Sequence, residues 1–263
     1  MCGIAGYSLD AESGVDRTLA AQSLLAAIAE RGADAVGYAW REGGGEIRVH
    51  KQRSGASALL DHVEVPRTAS QVLVHVRDYT KGHPTIAANN HPVRHGAVVG
   101  IHNGIIVNDE EIMSAHRFER AEPEMTVDSE AIFALAEQAE GRVEALEELR
   151  GSMATAWLDE RRPDLLFVAR GVGRPLWLGQ GRGAVFFAST RLALEIVERY
   201  TRRSLRKQEL AVGQLVALRN GKVAWTERFR PDVSFREETA LPAVRAPQEG
   251  AFCLKRLAAL ATL

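Results

Sequence analysis

Apolar positions in this chain come mostly in short bursts, interrupted by a few longer stretches spaced for helices. GIAGYSL, residues 3–9, reads as a first strand closed by the acidic, glycine-containing turn DAESG. Residues 18–32, TLAAQSLLAAIAERG, place apolar side chains at helical spacing and stop at Gly32. DAVGYAWRE, EIRVHKQ and SQVLVHVRD follow as strands, the first two joined through a Gly43-Gly44-Gly45 turn. A loop rich in Gly, His, Pro and Asn then occupies residues 80–96. AVVGIHNGIIV is strongly apolar, and the pair Asn103-Gly104 reads as an interruption of that strand. DSEAIFALAEQAEG predicts a helix capped by Asp128 or Ser129, and VEALEELRG a further one.

The second half repeats the alternation. SMATAWLDE, LLFVAR, PLWLGQ and AVFFAS predict four short strands, and TRLALEIVERYTR a helix. QLVALRNGKVAWTERF reads as a hairpin turning at Asn220-Gly221. Past Phe229 the pattern fades: EETALPAVRAPQEG reads as linker and AFCLKRLAALATL as one short terminal helix. Antiparallel strands interspersed with helices predict a layered α+β domain over residues 2–230, followed by linker and helix over 231–263.

Composition removes several classes of function. With 46% hydrophobic and 25% charged residues and a net charge of -1, the chain lacks the basic excess of a nucleic-acid binder. No apolar run is long enough for a membrane helix, and no signal peptide is visible. The two cysteines, Cys2 and Cys253, do not suggest a secreted disulfide framework, and the eight histidines show no metal-ligand spacing. The expectation is a cytoplasmic protein that binds neither metal nor cofactor.

Four features can carry chemistry, each with a plainer reading beside it. Cys2 would hold a thiol and a free α-amine in one residue once Met1 is removed, supplying nucleophile and base together; otherwise it is a small residue behind Met1. Arg77, at the end of an apolar strand, can form a bidentate pair with a carboxylate or be an ordinary strand-end arginine. Asn103-Gly104 is either a bulge or tight turn, or a side-chain amide and a backbone N–H aimed at an oxyanion. Asp128 is a helix cap or the partner of a ligand's ammonium group. Nucleophile and oxyanion donors together imply acyl transfer, and an arginine with an aspartate fits an α-amino acid. The substrate would then be glutamine or a γ-glutamyl compound.

The order MCGIAGY, RGADAVGYA, HVRDYTKG, NNHPV, VVGIHNGIIVN, VDSEAI and RPLWLGQGRGAVFFASTRLAL resembles the class II glutamine amidotransferases, which are N-terminal nucleophile hydrolases. The likeness is to the glutaminase domain of glucosamine-6-phosphate synthase. It implies a four-layer αββα sandwich of two antiparallel sheets. It also implies that Cys2 is the nucleophile, that its α-amine is the general base, and that a γ-glutamyl thioester forms and is hydrolysed. Asn103 and Gly104 match the oxyanion hole, Arg77 the binder of the glutamine α-carboxylate, Asp128 the binder of the α-amino group, and Thr80 a pocket residue. Arg31 and Gly32 match a structural pair beside the nucleophile, and His75 and His102 are expected to pack or fix loops.

Two positions depart from the family. Asp78 replaces an aromatic residue, where it can compete for Arg77 or alter the loop that closes over glutamine, and Lys81 replaces a small residue or histidine. The stretch after the likeness is too short for the synthase domain to which such glutaminases are usually fused. Three readings are open: a glutaminase that donates ammonia to a separate acceptor enzyme, with residues 251–263 as a docking helix; a stand-alone amidase for a γ-glutamyl amide; or a silent binding module. Intact Cys2, Arg77, Asn103, Gly104 and Asp128 weigh against the last.

Overall fold

The apolar bursts become strands in the structure, a computed structural model that describes residues 1–41, 45–140, 142–237 and 244–262. In chain order the strands are β1 (Gly3–Leu9), β2 (Ala35–Arg41), β3 (Ile47–Gln52), β4 (Gln71–Arg77), β5 (Val93–His95), β6 (Val98–Ile106) and β7 (Gly151–Asp159). They continue as β8 (Leu166–Arg170), β9 (Trp177–Gly181), β10 (Ala184–Ala188), β11 (Arg206–Glu209), β12 (Gln214–Arg219) and β13 (Lys222–Arg228). The helices are α1 (Arg17–Ile28), α2 (Asp109–Ala115), α3 (Glu130–Gln138), α4 (Arg191–Thr201) and α5 (Pro247–Leu260). One sheet has the order β11-β9-β10-β1-β4-β2-β3 and the other β13-β12-β8-β7-β6-β5, all ladders antiparallel.

Side chains alternate across each strand, so a strand buried on both faces reads as a continuous apolar run. In β1 and β4, Ala5, Tyr7, Leu9, Val72, Val74 and Val76 pack against helices α1, α4 and α5, whereas Ile4 and Leu73 face the second sheet. In β6, Val99 and Ile101 face the first sheet, and Val98 and Ile106 pack with α3. Three apolar cores therefore separate four layers, helix, sheet, sheet and helix, as the family likeness implies. Fully burying one such aliphatic or aromatic side chain contributes about 1.5–3 kcal/mol.

The structure corrects three expectations and selects between the two caps offered for α3. Asn103-Gly104 does not interrupt its strand: β6 pairs with β7 in unbroken register from Val98↔Asp159 to Ile106↔Gly151. Residues 143–148 form a 3-10 turn rather than an α-helix. PQEG belongs to α5 rather than to the linker, because Pro247 at the first turn has no N–H to leave unpaired. Asp128 does not cap α3, whose N-cap is Ser129. Residues 43 and 44 of the glycine turn and residues 238–243 of the linker lie outside the described residues.

Helix α5 docks on its own domain. Cys253 and Leu257 are fully buried beside α1, the Glu249 carboxylate accepts from the Ser57 N–H at 2.9 Å and hydroxyl at 2.8 Å, and Arg256 pairs with Asp61. Phe252 and Leu254 face outward. Both cysteines are free thiols. Among the described residues, no helix is long and apolar enough to cross a membrane.

Candidate active site

Strand pairing brings the first candidates together. Gly3 stands opposite Val76 in the antiparallel β1–β4 ladder, so Cys2 and Arg77 emerge side by side at the same end of the sheet. The turn after α1 passes beneath them. A Cβ on Gly32 would lie 2.4 Å from the Arg77 carbonyl, so only glycine lets this turn approach so closely. Its neighbour Arg31 donates from Nε to the Cys2 carbonyl at 3.0 Å, fixing the backbone of the terminal residues.

The second sheet supplies the opposite wall. His75 in β4 donates from Nε2 to the His102 carbonyl in β6 at 3.0 Å, tying the two sheets together at this end. His102 in turn donates from Nε2 to the Ser152 carbonyl at 3.2 Å and accepts at Nδ1 from the Ser129 hydroxyl at 2.8 Å. His91 stacks on His75 with ring centroids 4.3 Å apart. Burial takes His75 and His102 down to about 3 and His91 well below its usual value, so all three are neutral near pH 7. The bonding at His75 and His102 makes them architectural, as the sequence suggests, and neither is set up to shuttle protons.

Beside them, Gly104 has φ +149° and a Cβ there would sit 1.9 Å from the Ser152 carbonyl oxygen. No other residue fits without moving β7. The side chain of Asn103 is 1% exposed, and neither its amide nitrogen nor its oxygen has a hydrogen-bond partner. A buried amide without partners costs about 1–3 kcal/mol; His91, whose two ring nitrogens are likewise unpartnered, lies in the same region.

The cleft is lined by Cys2, Arg77, Thr80, Gly104 and Asp128 from the sequence-derived set, together with Tyr79, Lys81, His91, His102, Val127 and Ser129. Asn103 is next to this lining and Arg31 and Gly32 lie behind it. Free volume inside is about 10 Å³, about one water molecule. Arg77 is buried, and its Nη atoms donate to Asn90 Oδ1 at 2.7 Å, to the Lys81 carbonyl at 2.8 Å and to the Gly82 carbonyl. The loop after β4 is therefore folded down onto Arg77. Asp128, 3% exposed, accepts from the Ile106 N–H at 2.7 Å, and burial pushes its carboxyl up to about 6. Burial likewise raises the Cys2 thiol, against the charges of Arg77 and the terminal ammonium, which favour thiolate.

The two departures are tied elsewhere. Asp78 does not compete for Arg77; it pairs with the Met1 ammonium and with Arg245 Nε at 3.2 Å. Lys81 Nζ reaches both carboxylate oxygens of Asp109 at 2.8 Å, and Glu110 at 3.3 Å. Sequence reasoning missed His91, Ser129 and Ser152, whose roles come from contacts across the chain that no local pattern announces.

Comparison with known proteins identifies the family and the fold. A family profile for the glutamine amidotransferase domain matches residues 80–195, which include Thr80, Asn103, Gly104 and Asp128. Glutamine–fructose-6-phosphate aminotransferase (isomerizing) from Escherichia coli is 32% identical over 214 residues, covering 76% of this chain and 33% of the relative. Its counterpart from Caulobacter vibrioides is 34% identical over 205 residues, covering 74% and 32%. The chain thus spans about a third of the length of these curated relatives. Two solved structures share the fold: the allosteric regulatory enzyme of purine biosynthesis, with a TM-score of 0.68 at 20% identity, and the glutamine phosphoribosylpyrophosphate amidotransferase of B. subtilis, with 0.66 at 18%. Each match covers 86% of this chain and 49% of the solved one.

Proposed function

The chain carries a class II glutamine amidotransferase domain, and from that premise we propose that it hydrolyses the γ-carboxamide of glutamine through Cys2 and donates the ammonia to a separate acceptor enzyme. The observation that carries this reading is the convergence of Cys2, Arg77, Gly104 and Asp128 on one cleft, with the unpartnered Asn103 amide beside it. Glutamine enters with its α-carboxylate toward Arg77 and its ammonium toward Asp128. Entry requires the folded-down loop to lift, because the cleft holds about one water.

With Met1 removed, the Cys2 α-amine takes the thiol proton as sulfur attacks the carbonyl carbon of the γ-carboxamide. Charge moves to the carbonyl oxygen, facing Asn103 Nδ2 and the Gly104 N–H. Collapse expels ammonia, which takes up the proton, and leaves a γ-glutamyl thioester on Cys2. Water, deprotonated by the same amine, releases glutamate. A Met1 left in place would convert that amine into an amide and remove the base.

The test is intact-mass spectrometry of the purified protein with a diazo-ketone analogue of glutamine. Loss of Met1 and a single adduct on Cys2 are expected; a retained Met1, or no adduct on a processed chain, overturns the mechanism. Donation to an acceptor predicts slow ammonia release by the protein alone and faster release with its partner. High basal turnover with no partner recovered would remove that part of the reading.

A further inference from the structure

Asp78 has no part in the chemistry derived so far, yet its side chain pairs with the amino terminus itself. Its carboxylate pairs with the Met1 ammonium, while its backbone carbonyl lies 3.4 Å from the Cys2 sulfur. Arg245 approaches the same carboxylate at 3.2 Å. Arg245 is itself anchored, since its N–H and that of Ala246 both donate to the Glu30 carbonyl, at 3.1 and 2.9 Å. The Arg31 Nε bond to the Cys2 carbonyl holds the other side of the terminal residue. The terminus is thus fixed in orientation where chain ends ordinarily fray.

We infer that Asp78 is a positioning residue for the amino terminus: its carboxylate receives the terminal ammonium beside the Cys2 sulfur, and Arg245 braces that carboxylate from the C-terminal segment. The assignment of the amine as a base rests on the proposed function; the reception of the ammonium does not. Removing Met1 transfers the amine to Cys2, one Cα step of about 3.8 Å along the chain. On this assignment Asp78, whose backbone carbonyl already lies 3.4 Å from the Cys2 sulfur, receives the ammonium there as well. The charged groups facing it are Asp78 and the Cys2 thiol, with Arg31, Arg77 and Arg245 around them; Glu30 adjoins Arg31, and Asp34 lies near Arg77.

The carboxylate favours the ammonium form, and the three arginines oppose it. This arrangement suits an amine that must hold the thiol proton between attack and departure of ammonia.

The test measures how the terminal amine titrates, from the pH dependence of its acetylation by acetic anhydride, read by mass spectrometry of the N-terminal peptide. Wild type, Asp78→Asn, Asp78→Glu and Arg245→Met are compared. The amine should titrate about one unit lower in Asp78→Asn, return toward wild type in Asp78→Glu, and move upward by less than a unit in Arg245→Met. The acid limb of ammonia release from glutamine should move with it. Identical amine titration in wild type, Asp78→Asn and Arg245→Met overturns the inference, and a purely structural role for Asp78 predicts that result. If Asp78→Asn does not fold, the upward shift in Arg245→Met decides alone. A wild type that releases no ammonia while its amine still shifts with Asp78 would overturn the proposed function and leave this inference standing.

Discussion

The strand wall of the cleft and its loop wall are held in different ways. On the strand wall, His102 and Asn103 sit in an unbroken β6–β7 register, Asp128 bonds the Ile106 N–H at the end of β6, and all three are 3% exposed or less. On the loop wall, Tyr79 is 43% exposed and Lys81 is held by a partly exposed ion pair. Backbone carbonyls of residues 81 and 82 occupy Arg77. One wall is held by strand pairing, and on the proposed function the other has to rearrange to admit glutamine. Donors for a developing charge act best when fixed in advance, whereas binding groups for the amino-acid end can be completed on closure.

The largest effect should follow from breaking the strand wall at its tightest point. Gly104→Ala meets the Ser152 carbonyl and adopts a φ unsuited to alanine; strain of about 1–3 kcal/mol plus the clash should lower the melting temperature and abolish ammonia release. Asn103→Ala sharpens the comparison, because its amide makes no hydrogen bond in the folded chain. It should reduce kcat by about 10²–10³-fold without lowering the denaturation midpoint, because the unpaired amide it removes costs the fold about 1–3 kcal/mol. A large loss of stability would show that the amide is structural.

Asp128→Asn separates binding from stability. The carboxyl titrates at about 6 in the fold against an ordinary value of 3.8, so the folded state holds that proton more tightly than the unfolded chain does. Its stabilising contribution is complete below the ordinary value and is lost as pH rises through about 6. At pH 7 the ionised wild-type group therefore costs the fold up to about 3 kcal/mol. Asp128→Asn should unfold at higher denaturant concentration than wild type at pH 7, the advantage vanishing near pH 4. Its KM for glutamine should rise by at least about tenfold. Equal stability at pH 7 and pH 4 would contradict this account.

The smallest effect belongs to the loop wall. Lys81→Ala removes a partly exposed ion pair contributing at most about 1 kcal/mol, so KM should change by less than about fivefold with kcat intact. A large fall in kcat would mean that Lys81 does more than hold the loop.

Both walls were unequally legible in the sequence. Strands buried on two faces announce themselves as apolar runs, which is why GIAGYSL and SQVLVHVRD were read within a residue or two of their ends. RKQE of β11 carries no apolar alternation, and DEEIMSA of α2 is too short to establish a helical period. Asn103-Gly104 looked like an interruption because local propensity does not reveal a partner strand whose carbonyl a glycine can approach. Residue type and order left Cys2, Arg77 and Asp128 as candidates with plainer readings beside them, and the structure places all three on one cleft. What holds Asp78 was not legible, since Met1 and Arg245 reach it from opposite ends of the chain.

The fixed terminus also imposes a schedule. In the finished fold Met1 is partly buried, its ammonium is paired, and the residue behind it is tied to Arg31. An aminopeptidase acts on an extended, accessible end. The strands that flank β1 are β4, ending at Arg77, and β10, ending at Ala188, so β1 cannot take its central place until most of the chain has left the ribosome. The proposed mechanism, which needs Met1 removed, therefore requires that trimming come before the sheet closes over β1.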